Sequence, residues 1–334
     1  MISTEVTCTA CAKVILCGEH AVVYGRPAIA LPLPSLRSRA TVIPGSRPFH
    51  ISAPDIHAEF DLSVELARPL AVLVRLVFES LQQPIPGGSL TITSDIPPSS
   101  HLGSSASVAV ACARAVAAYS GHVLPPSEAS RLAFEAEKIY HGSPSGIDNT
   151  VIAFEQPVWY VRGQQVASAD TTSAAAPAKQ VSGRPMPSKP MPATFSTLTI
   201  AHAPLLVVAD TGLVMPTRIP VGDLRDGWNA DPQRYEALFD QIADVVTAAR
   251  EALQTGDWLQ LGRLMDANHA LLQQLGVSCL ELDHLCDVAR GAGALGAKLS
   301  GGGRGGNMIA LTSDEQTAAQ VRAALMKAGA TRVI

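Results

Sequence analysis

A polar loop that leads into a helix of small residues is the feature of this sequence that most constrains its fold. Residues 87–94 (GGSLTITS) alternate as a strand, residues 95–104 are polar and rich in serine, and residues 105–119 (SASVAVACARAVAAY) predict a helix. The unpaired N–H groups and the positive dipole end at a helix start bind anions, and small residues let a phosphate approach the main chain. The segment therefore predicts a phosphate site, although a serine-rich helix cap would give the same pattern.

The loop does not match the common nucleotide-binding motifs. Neither G-x-x-x-x-G-K-[ST] nor G-x-G-x-x-G occurs in it, so the pattern indicates a different nucleotide fold. The hydroxyls of Ser104 and Ser105 could ligate a phosphate-bound Mg²⁺. The candidate phosphate-binding residues are Ser99, Ser100, His101, Leu102, Gly103, Ser104 and Ser105.

The composition indicates a compact protein of two lobes. The chain has 334 residues, of which 47% are hydrophobic and 16% charged, and this is about twice the usual length of one domain. Its 29 acidic and 25 basic residues give a net charge of −4, which lacks the basic footprint of nucleic-acid binding. The apolar stretches are interrupted or shorter than the roughly 20 residues of a membrane span, and no secretory leader is recognisable. We expect a cytoplasmic protein without nucleic-acid or membrane partners.

Three of the six cysteines suggest a zinc site that strand geometry excludes. Cys8, Cys11, Cys17 and His20 spell C-x2-C-x5-C-x2-H. The segment AKVILCG predicts a strand, and six residues of strand would separate Cys11 from Cys17 by about 20 Å, whereas the ligands of one zinc ion all lie about 2 Å from it. Reduced thiols in a reducing compartment are expected instead.

Strands alternate with helices on both sides of a low-complexity segment. Residues 163–194 are mostly Ala, Ser, Thr, Gln and Pro, which predicts an exposed insertion or linker. Residues 1–162 then form an N-terminal lobe and residues 195–334 a C-terminal lobe. Both lobes are predicted to be α+β.

Periodicity and capping signals predict individual elements within the lobes. Apolar residues at helical spacing predict three helices, over residues 66–81, 235–253 and 258–272. Ser127 is expected to be the N-cap of a further helix, and Ser278 with Glu281 to form a capping box. The end of the chain predicts a strand, a loop, a second strand and a helix that begins at about Asp314.

A second glycine-rich turn lies between those last two strands. Residues 301–306 (GGGRGG) include five glycines, whereas a plain hairpin needs no more than about two. The excess predicts main chain held close to a ligand, with Arg304 as a fixed charge. A tight turn without a ligand is the alternative.

Five titratable residues are further candidates. Asp148 lies in HGSPSGIDN, a predicted stiff turn that would hold its carboxylate with little freedom, although an aspartate that caps its own turn fits as well. Glu137 falls on the flank of an apolar helical stripe, where a solvated carboxylate is equally expected. Lys13 begins an apolar strand that Glu19 and His20 follow. The alternatives are an edge-strand lysine and a core histidine.

The order of the motifs is similar to that of one family. Four segments resemble successive motifs of the GHMP small-molecule kinases: CAKVILCGEHAVVYGRPAIAL, IPPSSHLGSSASVAVA, EKIYHGSPSGIDN and AKLSGGGRGGNMIAL. The resemblance covers nearly the whole chain except residues 163–194, and it is strongest to the members that phosphorylate mevalonate. It implies an N-terminal lobe of ribosomal-S5-like topology, a ferredoxin-like C-terminal lobe, and ATP with Mg²⁺ bound between them.

The resemblance also implies roles for individual residues. Residues 99–105 would wrap the phosphates of ATP, while Ser105 and Glu137 would hold Mg²⁺. Asp148 would accept or orient the proton of the substrate hydroxyl, and Lys13 beside it would neutralise charge in the transition state. The residues that match family positions near mevalonate are Glu19, His20, Thr217 and Arg218.

The implied reaction converts ATP and (R)-mevalonate into ADP and 5-phosphomevalonate, and family members are often homodimers. Three alternatives stay within the fold: phosphorylation of phosphomevalonate, phosphorylation of mevalonate at its 3-hydroxyl, and decarboxylation of mevalonate diphosphate. A ligand-binding regulator that has lost catalysis is the alternative outside enzymes.

The sequence departs from the family pattern at three places. Cys11-Ala12 replaces the usual Pro-Gly before the lysine, His101 replaces the first glycine of G-L-G-S-S-A, and Arg304 stands where glycine is common. His101 is the most consequential departure, because it adds bulk and a hydrogen-bonding group at the phosphate loop.

Overall fold

Eleven strands and nine helices make up the part of the chain that the computed structural model describes, which is residues 5–65, 67–98, 100–141, 144–162, 193–215 and 218–334. The strands are β1 (Val6–Cys17), β2 (Pro27–Pro44), β3 (His50–Ala53), β4 (Ala58–Asp61), β5 (Gly88–Ser94), β6 (Val158–Arg162), β7 (Ala193–Thr197), β8 (Leu205–Asp210), β9 (Gly296–Ser300), β10 (Asn307–Thr312) and β11 (Arg332–Val333). The helices are α1 (Pro69–Ser80), α2 (Ser104–Tyr119), α3 (Pro126–His141), α4 (Ile147–Phe154), α5 (Arg218–Ala230), α6 (Pro232–Thr255), α7 (Trp258–Gln274), α8 (Leu280–Gly291) and α9 (Glu315–Lys327).

The first sheet has seven strands arranged around the long strand β2. Its order is β4-β3-β5-β2-β6-β7, and β1 also pairs with β2. Every pair is antiparallel except β3 with β5. Helices α2 and α4 pack on β1 and β2, and α1 and α3 lie against α2. Alanines fill most of the buried face of α2, so this helix approaches the sheet closely.

The second sheet has four antiparallel strands in the order β11-β8-β10-β9. Helices α7 and α8 pack on β9, and α9 packs on β8. Helix α6 packs against α7 and also reaches β1 and β2 of the first sheet. The two sheets therefore belong to lobes that share buried contacts.

Strand β1 lies where the two lobes meet. Leu16 of β1 and Leu299 of β9 belong to one buried apolar cluster. The hydroxyl of Ser300 accepts a hydrogen bond from the N–H of Ile15 (3.1 Å) and donates one to the carbonyl of the same residue (2.9 Å). The last residue of β9 thus ties the second lobe to the strand that carries Lys13.

The predicted α+β class with two lobes is confirmed, and so are most of the elements. The final strand-loop-strand-helix unit is β9, β10 and α9, and the carboxylate of Asp314 accepts the N–H of Thr317 at the start of α9. The helix expected over residues 66–81 begins at Pro69. The two long helices are α6 and α7.

Both predicted caps are wrong. Helix α3 begins at Pro126, so Ser127 lies inside its first turn. Helix α8 begins at Leu280 without a side-chain cap, because the hydroxyl of Ser278 bonds to Asp283 instead. Helix α5 was not predicted, since its proline and two glycines are residues that sequence reasoning associates with loops.

The predicted insertion falls mainly outside the described residues, which resume at residue 193. Strand β7 pairs antiparallel with β6, so the first sheet extends to Thr197. The division of the chain at residues 162 and 195 stays a prediction. Within the described ranges, no helix has the length and apolar character to cross a membrane.

Candidate active site

An ion pair between Lys13 and Asp148 lies at the centre of the candidate site. The Nζ of Lys13 is 3.0 Å from Oδ1 of Asp148, and the lysine side chain is 3% exposed against 35% for the aspartate. The same Nζ donates a hydrogen bond to the carbonyl of His101 (3.1 Å). The edge-strand alternative for Lys13 is wrong, because a lysine that discourages strand pairing has to reach solvent. Its ammonium is instead buried against Asp148 and the carbonyl of His101.

Asp148 lies in the first turn of α4 and not in the predicted stiff turn. Gly146 adopts a left-handed conformation (φ 89°) as the N-cap residue, and the helix starts at Ile147. The hydroxyl of Tyr160 donates a hydrogen bond to the carbonyl of Ser145, and a Cβ on Gly146 would lie 2.6 Å from that hydroxyl. The aspartate is therefore held by a helix whose start is packed against a buried tyrosine.

Glu137 is buried, contrary to the alternative of a solvated carboxylate. It is 4% exposed, whereas Ile139 and Tyr140 of the predicted apolar stripe are 46% and 50% exposed. Burial raises the pKa of Glu137 to about 7, and the negative charge of Asp148 adds to the rise. A hydrogen bond from Ser105 at the start of α2 favours the ionised form. Two carboxylates and a serine hydroxyl thus converge beside Lys13.

The loop before α2 brings backbone groups to the same place. Gly103 is the N-cap residue, in the left-handed conformation (φ 76°), and it has no side chain to occupy the helix start. A Cβ there would lie 2.8 Å from Cδ1 of Ile152 and 3.0 Å from Cγ of Lys13, so glycine is required for this approach. The N–H of Lys13 also donates to the carbonyl of Leu102 (3.0 Å). No side-chain cap is found at the start of α2 among the described residues, and the first N–H groups and positive dipole end of a helix suit an anion.

A second buried ion pair joins the two lobes. Glu19, which follows β1, is 1% exposed, and Lys298 in β9 is fully buried. The Nζ of Lys298 donates to Oε1 of Glu19, while Oε2 has no hydrogen-bond partner among the residues that the structure describes. Burial raises the pKa of Glu19, and the two lysines Lys298 and Lys13 oppose that rise. Sequence reasoning missed Lys298, although a lysine inside the apolar strand AKLS was the available signal.

His20 fits the alternative of a core histidine with a satisfied hydrogen bond. Its Nε2 lies 3.1 Å from the carbonyl of Gly302, and burial lowers its pKa to about 4. The imidazole is therefore neutral at physiological pH. It ties the turn after β1 to the glycine-rich turn of the second lobe.

The glycine-rich turn, residues 301–306, is explained by contacts within the protein. A Cβ on Gly303 would lie 2.0 Å from the carbonyl oxygen of Val277, and one on Gly305 would lie 2.6 Å from that of Leu213. The expectation of Arg304 as a fixed charge for a ligand stays a prediction. Its guanidinium pairs with Asp223, and its Nε donates to the carbonyl of Gly276 (3.1 Å).

Comparison with known proteins places the chain in a family. The family models described as GHMP kinases N terminal domain and GHMP kinases C terminal match residues 69–156 and 249–331. Mevalonate kinase of Thermococcus onnurineus is 32% identical over 99% of this chain and 95% of that protein, and mevalonate kinase of Pyrococcus furiosus is 31% identical over 99% and 95%. The chain belongs to the GHMP kinase family.

Solved structures agree with this assignment. The crystal structure of L. major mevalonate kinase in complex with R-mevalonate is 30% identical to this GHMP kinase, with a TM-score of 0.80 and coverage of 100% of this chain and 96% of that one. The Methanococcus jannaschii mevalonate kinase has a TM-score of 0.78 at 24% identity, which supports the fold alone. The two-lobed GHMP kinase fold is confirmed.

Some predicted site residues of this GHMP kinase fall outside the described residues. Ser99 and Thr217 are among them, and the side chain of Arg218, the first residue of α5, is another. The described candidates come together around Lys13 and at the junction of the lobes. They are Ser100, His101, Leu102, Gly103, Ser104, Ser105, Glu137, Asp148, Glu19 and His20.

The oxygen donors beside Asp148 fit a magnesium ion. Mg²⁺ is commonly held by one or two protein oxygens together with substrate phosphates, and Ser105 and Glu137 offer a hydroxyl and a carboxylate that touch each other. Burial raises the pKa of Glu137 and the positive charge of Lys13 opposes that rise, so a further cation bound here would also favour the ionised carboxylate. In the described ranges, no three His, Cys, Asp or Glu side chains are grouped so that they could hold a metal ion by themselves.

Proposed function

We propose that this GHMP kinase transfers the γ-phosphoryl group of ATP to the 5-hydroxyl of (R)-mevalonate, giving ADP and 5-phosphomevalonate. The observation that carries the proposal is the contact of the buried Lys13 with both Asp148 and the loop before α2. The names of the full-length relatives, and the R-mevalonate named for the L. major structure, support the choice of acceptor.

The proposed chemistry uses Asp148 and Lys13 together. Asp148 orients the 5-hydroxyl group, and as the hydroxyl oxygen attacks phosphorus its O–H bond breaks and the carboxylate of Asp148 takes up the proton. The bond from phosphorus to the β,γ-bridging oxygen breaks in line, and ADP leaves. Lys13 neutralises charge on the transferred group, which is the main form of catalysis open to an enzyme with a loose phosphoryl-transfer transition state.

The loop before α2 is the proposed site of the ATP phosphates. Residues 99–105 would surround them, because the N-terminus of α2 supplies N–H groups and positive dipole. Ser105 and Glu137 would hold Mg²⁺, which neutralises phosphate charge when bound. A dication at this position would favour the ionised form of Glu137, whose burial otherwise disfavours it.

The substrate side of the proposal combines predicted and observed groups. Glu19, His20, Thr217 and Arg218 stay predicted contacts of mevalonate, and Lys298 joins them through its pair with Glu19. A cation such as Arg218 suits the mevalonate carboxylate. The neutral His20 donates from Nε2 to the carbonyl of Gly302, so its Nδ1 can only accept a hydrogen bond, and the ring does not add charge.

The buried charges argue against a regulator that has lost catalysis. Lys13, Glu137, Glu19 and Lys298 are each no more than 4% exposed, and burying such groups is costly unless they are paired. A protein that only binds a ligand has little physical reason to keep these charges around a phosphate loop.

The test is coupled ADP release with Mg-ATP against five acceptors: mevalonate, phosphomevalonate, homoserine, galactose and mevalonate diphosphate. Phosphorus NMR identifies the position of the new phosphate. We expect turnover with mevalonate, a 5-phosphate product, and loss of turnover in Asp148→Asn. Turnover with another acceptor, a 3-phosphate, or decarboxylation would overturn the acceptor assignment while leaving the family assignment intact.

We further propose a reducing, cytoplasmic location, because all six cysteines are free and four of them are buried. A homodimer, which the family resemblance implies, stays a prediction. Gel filtration with light scattering tests it directly.

A further inference from the structure

His101 adopts a backbone conformation that glycine normally takes. Its φ is 58°, in the left-handed region, and Gly103 two residues later has φ 76°. A residue with a Cβ is disfavoured there, and histidine is tolerated only somewhat better than most. The phosphate loop therefore carries a histidine side chain at a backbone position that would favour glycine.

The imidazole of His101 faces the glycine-rich turn of the second lobe. A Cβ on Gly301 would lie 3.0 Å from the Cβ of His101, and a Cβ on Gly306 would lie 2.8 Å from its Nδ1. Both distances are shorter than an ordinary van der Waals contact of about 3.5–4.0 Å. The two glycines thus leave the space that the histidine ring fills, and the ring bridges the two lobes.

The backbone around His101 is bound on its other side to catalytic groups. Its carbonyl accepts a hydrogen bond from the Nζ of Lys13 (3.1 Å), and the carbonyl of Leu102 accepts the N–H of Lys13 (3.0 Å). The side chain of Asn307 in β10 donates to the carbonyl of Ser100. The loop is fixed between the catalytic lysine of one lobe and the glycine turn of the other.

We propose that His101 is a positioning residue that docks the phosphate loop on the glycine-rich turn and so pre-organises the ATP phosphate site across the two lobes. The inference rests on the proposed function, because it assumes that this loop binds nucleotide phosphates. A loop held in its binding conformation loses less freedom when the nucleotide binds, and this raises affinity. The ring acts through the loop and is not a catalytic residue.

The first experiment separates the ring from the backbone conformation. His101→Gly removes the ring and relieves the left-handed strain, and His101→Asn removes the ring but keeps a residue that tolerates this conformation. We expect both variants to raise the KM for ATP and the dissociation constant of a fluorescent ADP analogue about tenfold, while kcat and the KM for the acceptor change less than about threefold. Wild-type nucleotide affinity in either variant would overturn the proposal.

The second experiment tests the docking contact by a double-mutant cycle. Gly306→Ala adds a methyl group that meets the imidazole, so we expect it to weaken nucleotide binding and folding stability more in the wild type than in His101→Gly. Gly276→Ala is the matched control, because Gly276 has a similar φ (73°) and no atom within 4 Å of an added Cβ. Its effect should be the same in both backgrounds. Equal effects of Gly306→Ala in both backgrounds would refute the contact.

The two proposals fail in different ways. If the wild type binds no nucleotide, the proposed function falls and the positioning role falls with it. If the wild type binds nucleotide but turns over a different acceptor, only the proposed acceptor is wrong, and the His101 comparison still decides the positioning role. If Gly306→Ala does not fold in either background, the comparison of His101→Gly with His101→Asn remains decisive.

Discussion

Removing Lys298 should destabilise the protein strongly, because it leaves the carboxylate of Glu19 buried without its partner. Both side chains are at most 1% exposed, and one oxygen of Glu19 has no hydrogen-bond partner within the described part of the chain even when Lys298 is present. Breaking a buried ion pair by removing one partner costs about 3–5 kcal/mol. Since folded proteins are stable by only about 5–15 kcal/mol, Lys298→Met should fold but unfold at a much lower denaturant concentration.

The loss should depend on pH in a defined direction. Burial raises the pKa of Glu19 above its ordinary value, and Lys298 opposes that rise, so its removal raises the pKa further. The folded variant then binds a proton that the unfolded chain has released, and its stability falls as pH rises from the unfolded pKa to the folded one. The destabilisation should therefore be larger at pH 8 than at pH 5.

Urea denaturation at pH 5, 7 and 8 measures this effect. The double variant Glu19→Gln with Lys298→Met removes both charges and should recover most of the lost stability. Lys138→Met is the matched control, because Lys138 pairs with Glu135 at 2.8 Å on the exposed face of α3 and should lose less than about 1 kcal/mol. A loss below about 1 kcal/mol in Lys298→Met, a loss that is the same at all three pH values, or no recovery in the double variant would refute the reasoning.

Three further predictions follow from single contacts. Because burial raises the pKa of Glu137 to about 7, the ionised carboxylate destabilises the folded protein more at pH 8 than at pH 5. In metal-free buffer, Glu137→Gln should therefore raise the melting temperature relative to the wild type more at pH 8 than at pH 5. The same variant should show no turnover in the ADP assay. Tyr160→Phe deletes the hydrogen bond to the carbonyl of Ser145, so the free energy of unfolding should fall by about 1–3 kcal/mol and kcat should change more than KM. Tyr119→Phe is the control, because it loses a hydrogen bond to the carbonyl of Gly87 (3.2 Å) away from the site and should change stability only. Gly103→Ala adds a methyl group 2.8 Å from Cδ1 of Ile152 in α4 and should prevent turnover. Gly121→Ala is the control, because Gly121 has a similar φ (79°) and no atom within 4 Å of an added Cβ; it should lower the free energy of unfolding by about 1 kcal/mol without a kinetic effect. Normal kinetics in Gly103→Ala would contradict the required close approach.

Most elements could be predicted from local pattern because the pattern reports which face is buried. Helices α6 and α7 carry long apolar stripes, and β9 and β10 are short apolar runs on either side of a glycine-rich turn. Helix α5 could not be predicted in this way, since it contains Pro220 and Gly222 and forms through its packing on α6. The predicted cap of α8 is wrong because the hydroxyl of Ser278 bonds to Asp283, five residues further along the chain, and not to the main chain at Glu281.

The positions of the candidate site residues could be predicted from motif order, but their environments could not. The burial of Glu137 depends on how α3 lies against α1, α2 and α4, which the periodicity of α3 alone does not specify. Asp148 and Lys13 are 135 residues apart in sequence, and only the packing of α4 on β1 brings them to 3.0 Å. The ion pair of Arg304 could not be predicted, because its partner Asp223 lies in the unpredicted helix α5.

Two ion pairs, Lys13 with Asp148 and Lys298 with Glu19, place buried charges that suit a site for anionic ligands. Two buried ammonium groups, those of Lys13 and Lys298, each contact a carboxylate, and the second pair joins the two lobes. Each carboxylate offsets the cost of burying the neighbouring ammonium group. Under the proposed function, a phosphate of ATP meets the ammonium group of Lys13 already desolvated and oriented, so that little reorganisation is required.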